Sequence, residues 1–229
     1  MDNVKQNLIQ TEDQLRKVIK NPPAIMSKRL LSSLEHHAIE IIRRSSVVAL
    51  GIMEDPDCIN FINISPNKVQ VIDNKNLKIK APETQRHIYK GSNKRHCSLY
   101  FIMPGINYTL RINGELNDFN STWLTISIHQ LFVHCARAKV RADFWKINPD
   151  INDIDSMPVV EGRPGYPTET PALNIQATNF IQQSPYLLLL TSNKLGETEL
   201  SPRGDPQGFV SVINQHTLLL PERPGNKVA

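Results

Sequence analysis

The chain has 229 residues, 40% hydrophobic and 21% charged, a soluble globular balance with enough length for a buried core and one large or two small domains. Its formal charge of +4, with no long basic run, suits an anionic small-molecule ligand and argues against nucleic acid as the main partner. Cys58, Cys97 and Cys135 are scattered without CxxC spacing, and neither an apolar leader nor a long apolar stretch is present. The expectation is reduced thiols, no signal peptide, no membrane span and a cytoplasmic location.

In chain order, residues 1–26 read as a polar helical extension. Leu8, Leu15, Val18 and Ile19 lie at loose helical spacing, and "NPP" at 21–23 ends it. In the helix that follows, Ser32 or Ser33 is the expected cap and Glu35 falls in the first turn. Leu34, Ala38, Ile41 and Ile42 form its apolar stripe, with Arg43 and Arg44 at its end. From Ser46 the text changes to short strands: "SVVALGI", "CINFINIS", "KVQVID", "LKIKAP", "CSLYFIMPG", "TLRINGEL" and "WLTISIHQLFVHC". "ARAKVRADFW" (136–145) reads as a short helix. These elements make a first domain over 27–148, and the polar, Pro-rich stretch 149–171 is the linker.

Over 172–229 the pattern restarts. "NIQATNFIQQS" is helical, "YLLLLTSN" a buried strand and "GETELSP" a returning strand; "FVSVIN" and "TLLLP" form a hairpin. "VQVIDNKNLKI" (69–79) aligns without gaps on "VSVINQHTLLL" (210–220), and "INISP" (62–66) matches "TELSP" (198–202). The chain therefore carries an internal repeat of about 140 residues. The second copy stops short of the strands that follow in the first, so the chain is expected to be a fragment of a longer protein.

Chemistry concentrates in the loops of the second copy. Arg203 lies between Pro202 and Gly204, and Gly204 and Gly208 permit close backbone approach to a ligand. In "ERPGNK", Gly225 and Asn226 can expose consecutive N–H groups between Arg223 and Lys227, a concavity for phosphate. A solvated surface turn has the same composition. The first copy, however, reads "SPNKV" and "KAPETQRH" at these positions, so the hairpin does not need them. The "RGD" tripeptide is read as coincidence. His134 and Cys135 are adjacent and point to opposite faces of a strand, which excludes joint chelation; His134 is read as a packed or hydrogen-bonded histidine. Arg137, Lys139 and Arg141 read as a basic or solvated helix face, Trp145 as packing, and His36 and His37 as surface.

These residues carry a family likeness. "SPRGDPQGFVSVINQHTLLLPERPGN" (201–226) resembles the SPRGDxxGFV…LLLPxRPGN segment of the pyridoxamine 5′-phosphate oxidase-like flavin-binding proteins. "YFIMPGINYTLRINGEL" (100–116) and "LFVHCARAKVRADFW" (131–145) resemble the later strands and closing helix of the same domain. The resemblance implies a mainly β fold, an FMN-binding split barrel with flanking helices, followed by the front half of a second barrel. It implies FMN held between subunits of a homodimer, or between the two copies as a pseudo-dimer within the full-length chain. Carried over, Ser201, Arg203, Gly204, Arg223, Gly225, Asn226 and Lys227 form the phosphate and ribityl grip. Pro104, Gly105, Thr109, Arg111 and Asn113 form the facing wall. Such a composite site holds a single FMN per complete chain. The implied activity is an FMN-dependent oxidoreductase acting on a small-molecule substrate, with NADPH or NADH as donor. The alternatives are a flavin binder without turnover, a degenerate structural barrel, and a basic nucleic-acid-binding β-domain.

Overall fold

A computed structural model describes residues 8–21, 28–53, 58–65, 67–89, 94–120, 122–146 and 172–223. The expected linker 149–171 lies outside them. Helix α1 (Glu12–Val18) starts at Thr11, whose hydroxyl caps the Gln14 N–H while the Gln14 side chain returns to the Thr11 N–H. None of its residues is buried. Helix α2 (His36–Arg44) begins later than the serine-cap reading implies. Glu35 occupies the cap position without a side-chain bond, and Leu34, one residue earlier, is tied by its N–H to Asn74 O at 2.7 Å. Ala38 and Ile42 are the buried face of α2, as the stripe predicts.

Seven strands follow: β1 (Val47–Ile52), β2 (Cys58–Asn63), β3 (Val69–Val71), β4 (Asn76–Lys80), β5 (Arg95–Ile102), β6 (Thr109–Phe119) and β7 (Trp123–His134). They pair antiparallel in the order β2-β1-β5-β6-β7-β4-β3. The edge strands β2 and β3 do not pair with each other, leaving the open half-barrel sheet of a mainly β protein. Side chains alternate across the pleat. One face carries Val48, Leu50, Leu99, Phe101, Leu110, Ile112 and Leu131, and closes the main core against α2. The other face carries Ala49, Ser98, Tyr100, Arg111 and Asn113, which the pairing places in adjacent rows.

That second face is also covered. After α3 (Arg137–Arg141) and α4 (Ile175–Gln183), strands β8 (Tyr186–Ser192) and β9 (Thr198–Gly204) form a hairpin whose β9 lies on β1, β5 and β6. Leu200 closes a second small core with Ala49, Tyr100 and Ile102, and Leu188 and Leu190 pack around it. β8, expected as a buried strand, is half-buried because only part of it reaches the sheet. Gly51 makes the approach possible: a Cβ there would stand 2.5 Å from Leu190 Cδ1. Ser201 and Pro202 continue β9, as the "GETELSP" strand reading expects, and Arg203 and Gly204, read as loop, extend it. Pro202 is accommodated because β9 is an edge strand of its hairpin.

The order helix, strand, strand, hairpin occurs twice, ending in β3–β4 and in β10 (Ser211–Asn214) with β11 (Thr217–Leu219). At aligned positions the hairpins share a register: Gln70 faces Lys78 and Val71 faces Leu77, as Ser211 faces Leu219 and Val212 faces Leu218. Both helices also end alike. Ser45 and Ser184 each donate their hydroxyl to the carbonyl four residues back, Ile41 and Phe180, at 2.7 Å.

Candidate functional site

Three rows of β5, β6 and β7 build the floor. Register places Thr109 beside His134, Arg111 between Tyr100 and Phe132, and Asn113 between Ser98 and Gln130. β9 forms the roof. Ser98 Oγ donates to Asn113 Oδ1 at 2.8 Å and accepts the Leu200 N–H at 2.9 Å, so one hydroxyl ties floor to roof. The Tyr100 and Tyr186 hydroxyls meet at 2.6 Å. Burial raises the Tyr100 phenol to about 12, and raises that of Tyr186 as well, so both stay protonated.

Arg111 is 2% exposed and pairs with the Glu199 carboxylate of β9. Its guanidinium also lies 5.7 Å from the Phe132 ring centroid. Glu199 lies in the field of both Arg111 and Arg203. Burial still pushes its carboxyl above the usual range. Arg203 Nη1 and His134 Nε2 are buried without a hydrogen-bond partner. Burial first, then the charges of Arg111 and Arg203, drive His134 down to about 3, so its imidazole is neutral. His134 is thus packed, edge-on to Phe132 at 5.0 Å, but its ring nitrogen is not satisfied.

The other candidates are spread around this seam. Ser201 is buried on β9. Gly204 is buried too, and the space its missing side chain opens is filled by Ala138 O, 2.2 Å from an ideal Cβ. Its smallness serves packing against α3 rather than the approach of a ligand. Arg223 is engaged: its Nε lies 2.5 Å from Asp205 Oδ2. Pro104 and Gly105 form an exposed turn, with Gly105 at φ +70. Gly225, Asn226 and Lys227 lie outside the described residues. The structure therefore brings Thr109, Arg111, Asn113, Ser201 and Arg203 to one seam, and sets the Pro104–Gly105 turn apart as a solvent-facing loop.

Of the basic face expected on the last helix, Arg137 is exposed but Lys139 and Arg141 are not left to solvent. Lys139 is 2% exposed; it donates to Ile106 O at 3.2 Å and lies over the Phe144 and Trp145 rings at 5.0 and 5.2 Å. Burial lowers its amine to about 8. Arg141 donates to Gly204 O at 2.9 Å. Sequence reasoning also passes over Glu199, whose partner is far away in the chain, and weighs His129 only as an improbable zinc ligand beside His134. The register shift between Asn113 and Gly114 leaves His129 as the bulge residue of β7. It lines a cleft of about 520 Å³ with His96, Asn113, Gln130, Glu197 and Glu199, walled by both halves of the chain.

No group of three or more His, Cys, Asp or Glu suited to a metal ion occurs among the described residues. No described helix is long and apolar enough to cross a membrane. No family model matches this sequence, and no curated protein does. Among solved structures, a match is found to the crystal structure of a histidine-to-alanine variant of HupZ from Group A Streptococcus. It is 9% identical, with a TM-score of 0.33, covering 43% of this chain and 98% of that one. A score that low carries no argument about family or function.

Proposed function

We propose that the seam between β6–β7 and β9 is an FMN site, and that the protein is a flavin-binding, oxidoreductase-like protein built from two copies of one unit. The observation that carries this reading is that Arg203 Nη1 and His134 Nε2 both lie buried on this seam without a hydrogen-bond partner. Buried polar groups in proteins nearly always have partners, and a guanidinium beside an imidazole on one seam fits the oxyanion of a phosphate monoester. Arg203 would hold the phosphate, with Ser201 on the same strand and Asn113 and Arg111 across from it. The matched hairpin registers and serine caps support the repeat, and β9 on β5 and β6 supports a site shared between the copies. Bound flavin would supply hydride or electron transfer between a reduced nicotinamide and a small substrate. The protein would bind, orient and exclude water.

The test is cofactor binding itself. Purified protein supplemented with FMN is expected to retain flavin absorbance after desalting, with about one flavin per chain by this reading. R203M should lose it. Colourless protein that takes up no FMN, or an R203M variant that binds as well as wild type, overturns the proposal. A stoichiometry of two overturns the shared site.

A further inference from the structure

The donors at this seam outnumber their acceptor. Two guanidiniums, Arg111 and Arg203, act on the single Glu199 carboxylate, and the Asn113 side chain lines the same cleft. Glu222 acts on Arg203 as well, but is itself exposed. A carboxylate carries one negative charge and two oxygens, whereas a phosphate monoester carries up to two charges and three terminal oxygens. The cradle is better matched to phosphate than to the side chain now in it.

The surroundings give that side chain somewhere to go. Glu199 and Asn113 both line the cleft of about 520 Å³, so the carboxylate can swing into water without moving β9. It stands one residue into its strand, after the exposed 193–197 turn, where Gly196 has φ +80. Arg111 and Asn113 are fixed by contrast. The guanidinium packs on Phe132, and the amide oxygen is held by Ser98. The fixed parts are the donors and the movable part is the acceptor.

We infer that Arg111, Asn113 and Arg203 form a phosphate-binding cradle and that Glu199 is its internal plug, displaced when a phosphate group enters. This rests on the reading of Arg203 as an anion-binding residue. An ion pair that only locks the two halves together would have no response to phosphate, which separates the two accounts.

The experiment compares wild type, E199Q and the pair-free variant R111M/E199L in inorganic phosphate and in chloride at matched ionic strength. E199Q is expected to melt below wild type in chloride, because it strands a buried guanidinium. Phosphate should restore its midpoint and bind it at least about tenfold more tightly than wild type. The pair-free variant should not respond. A phosphate response in E199Q no larger than in wild type overturns the plug, as does an equal response in the pair-free variant. Should E199Q fail to fold, E199D carries the test, since it withdraws the carboxylate by one methylene. Tighter phosphate binding than wild type supports the plug, and equal or weaker binding overturns it. FMN and riboflavin titrations distinguish the two readings. Phosphate rescue without any preference for FMN keeps the plug and drops the flavin; FMN binding with a phosphate-indifferent E199Q drops the plug alone.

Discussion

His134 is a neutral imidazole at the edge of the seam, and its titration has a definite sign. Its folded value lies near 3, against 6.5 in the unfolded chain. The unfolded state therefore binds the proton first, and stability falls as pH drops from 6.5 toward 3. Urea midpoints measured across that window should decline, and the decline should be shallower in H134N. An unchanged slope would mean that the imidazole is solvated. Lys139 works at the other end of the scale. Its amine is lowered to about 8 from 10.5, so charging it opposes folding, and stability should rise as pH goes from 8 to 10.5. K139M should flatten that rise. His134 was legible as a packed histidine, but Lys139 was not legible as a buried group. A lysine between two arginines looks like surface text, and only its packing over the Phe144 and Trp145 rings takes it out of water.

At the scale of elements, the strands were legible wherever apolar residues alternate, because period two is written locally into β1, β4, β6 and β7. The seam was not. Ser98, Tyr100, Arg111 and Asn113 are polar enough to read as a solvent face, and the partner that buries them lies much later in the chain. The same blindness made Arg203 and Gly204 a loop: Pro and Gly signal turns locally, while their strand geometry comes from pairing with Leu187 and Tyr186 of β8. Two glycines test the fit. G51A brings a methyl against the flexible end of Leu190, and G204A drives one into the Ala138 carbonyl. Overpacking of this kind costs about 1–3 kcal/mol. Chemical denaturation should show G204A the more destabilised, since a backbone carbonyl gives way less than a side-chain methyl. Equal losses would mean that α3 adjusts freely.

Across the whole molecule, order is unevenly distributed. Most of β5 and the first half of β6 are buried on both faces, whereas Ile213, Leu218 and Leu219 of the β10–β11 hairpin stay largely exposed. Amide hydrogen exchange should therefore be slowest at Leu99, Tyr100 and Ile112 and fastest along 211–219, by orders of magnitude. Uniform protection would contradict this. The β9 roof depends chiefly on one anchor, Leu200, which is fully buried. L200A should cost about 2–5 kcal/mol and loosen the exchange of β8 and β9 before that of β6.

One detail of β9 reaches beyond stability. An exposed strand edge is a template on which another chain can lay a copy of itself. Leu200 turns its N–H away from β8 to meet Ser98, so Pro202, two residues on, points its nitrogen the same way and has no hydrogen to offer. At Gly204 the carbonyl is taken by Arg141. Three bonding positions on this flank, at Leu200, Pro202 and Gly204, are thus spent or missing. The strand that roofs the seam is, on that side, a poor template for a copy.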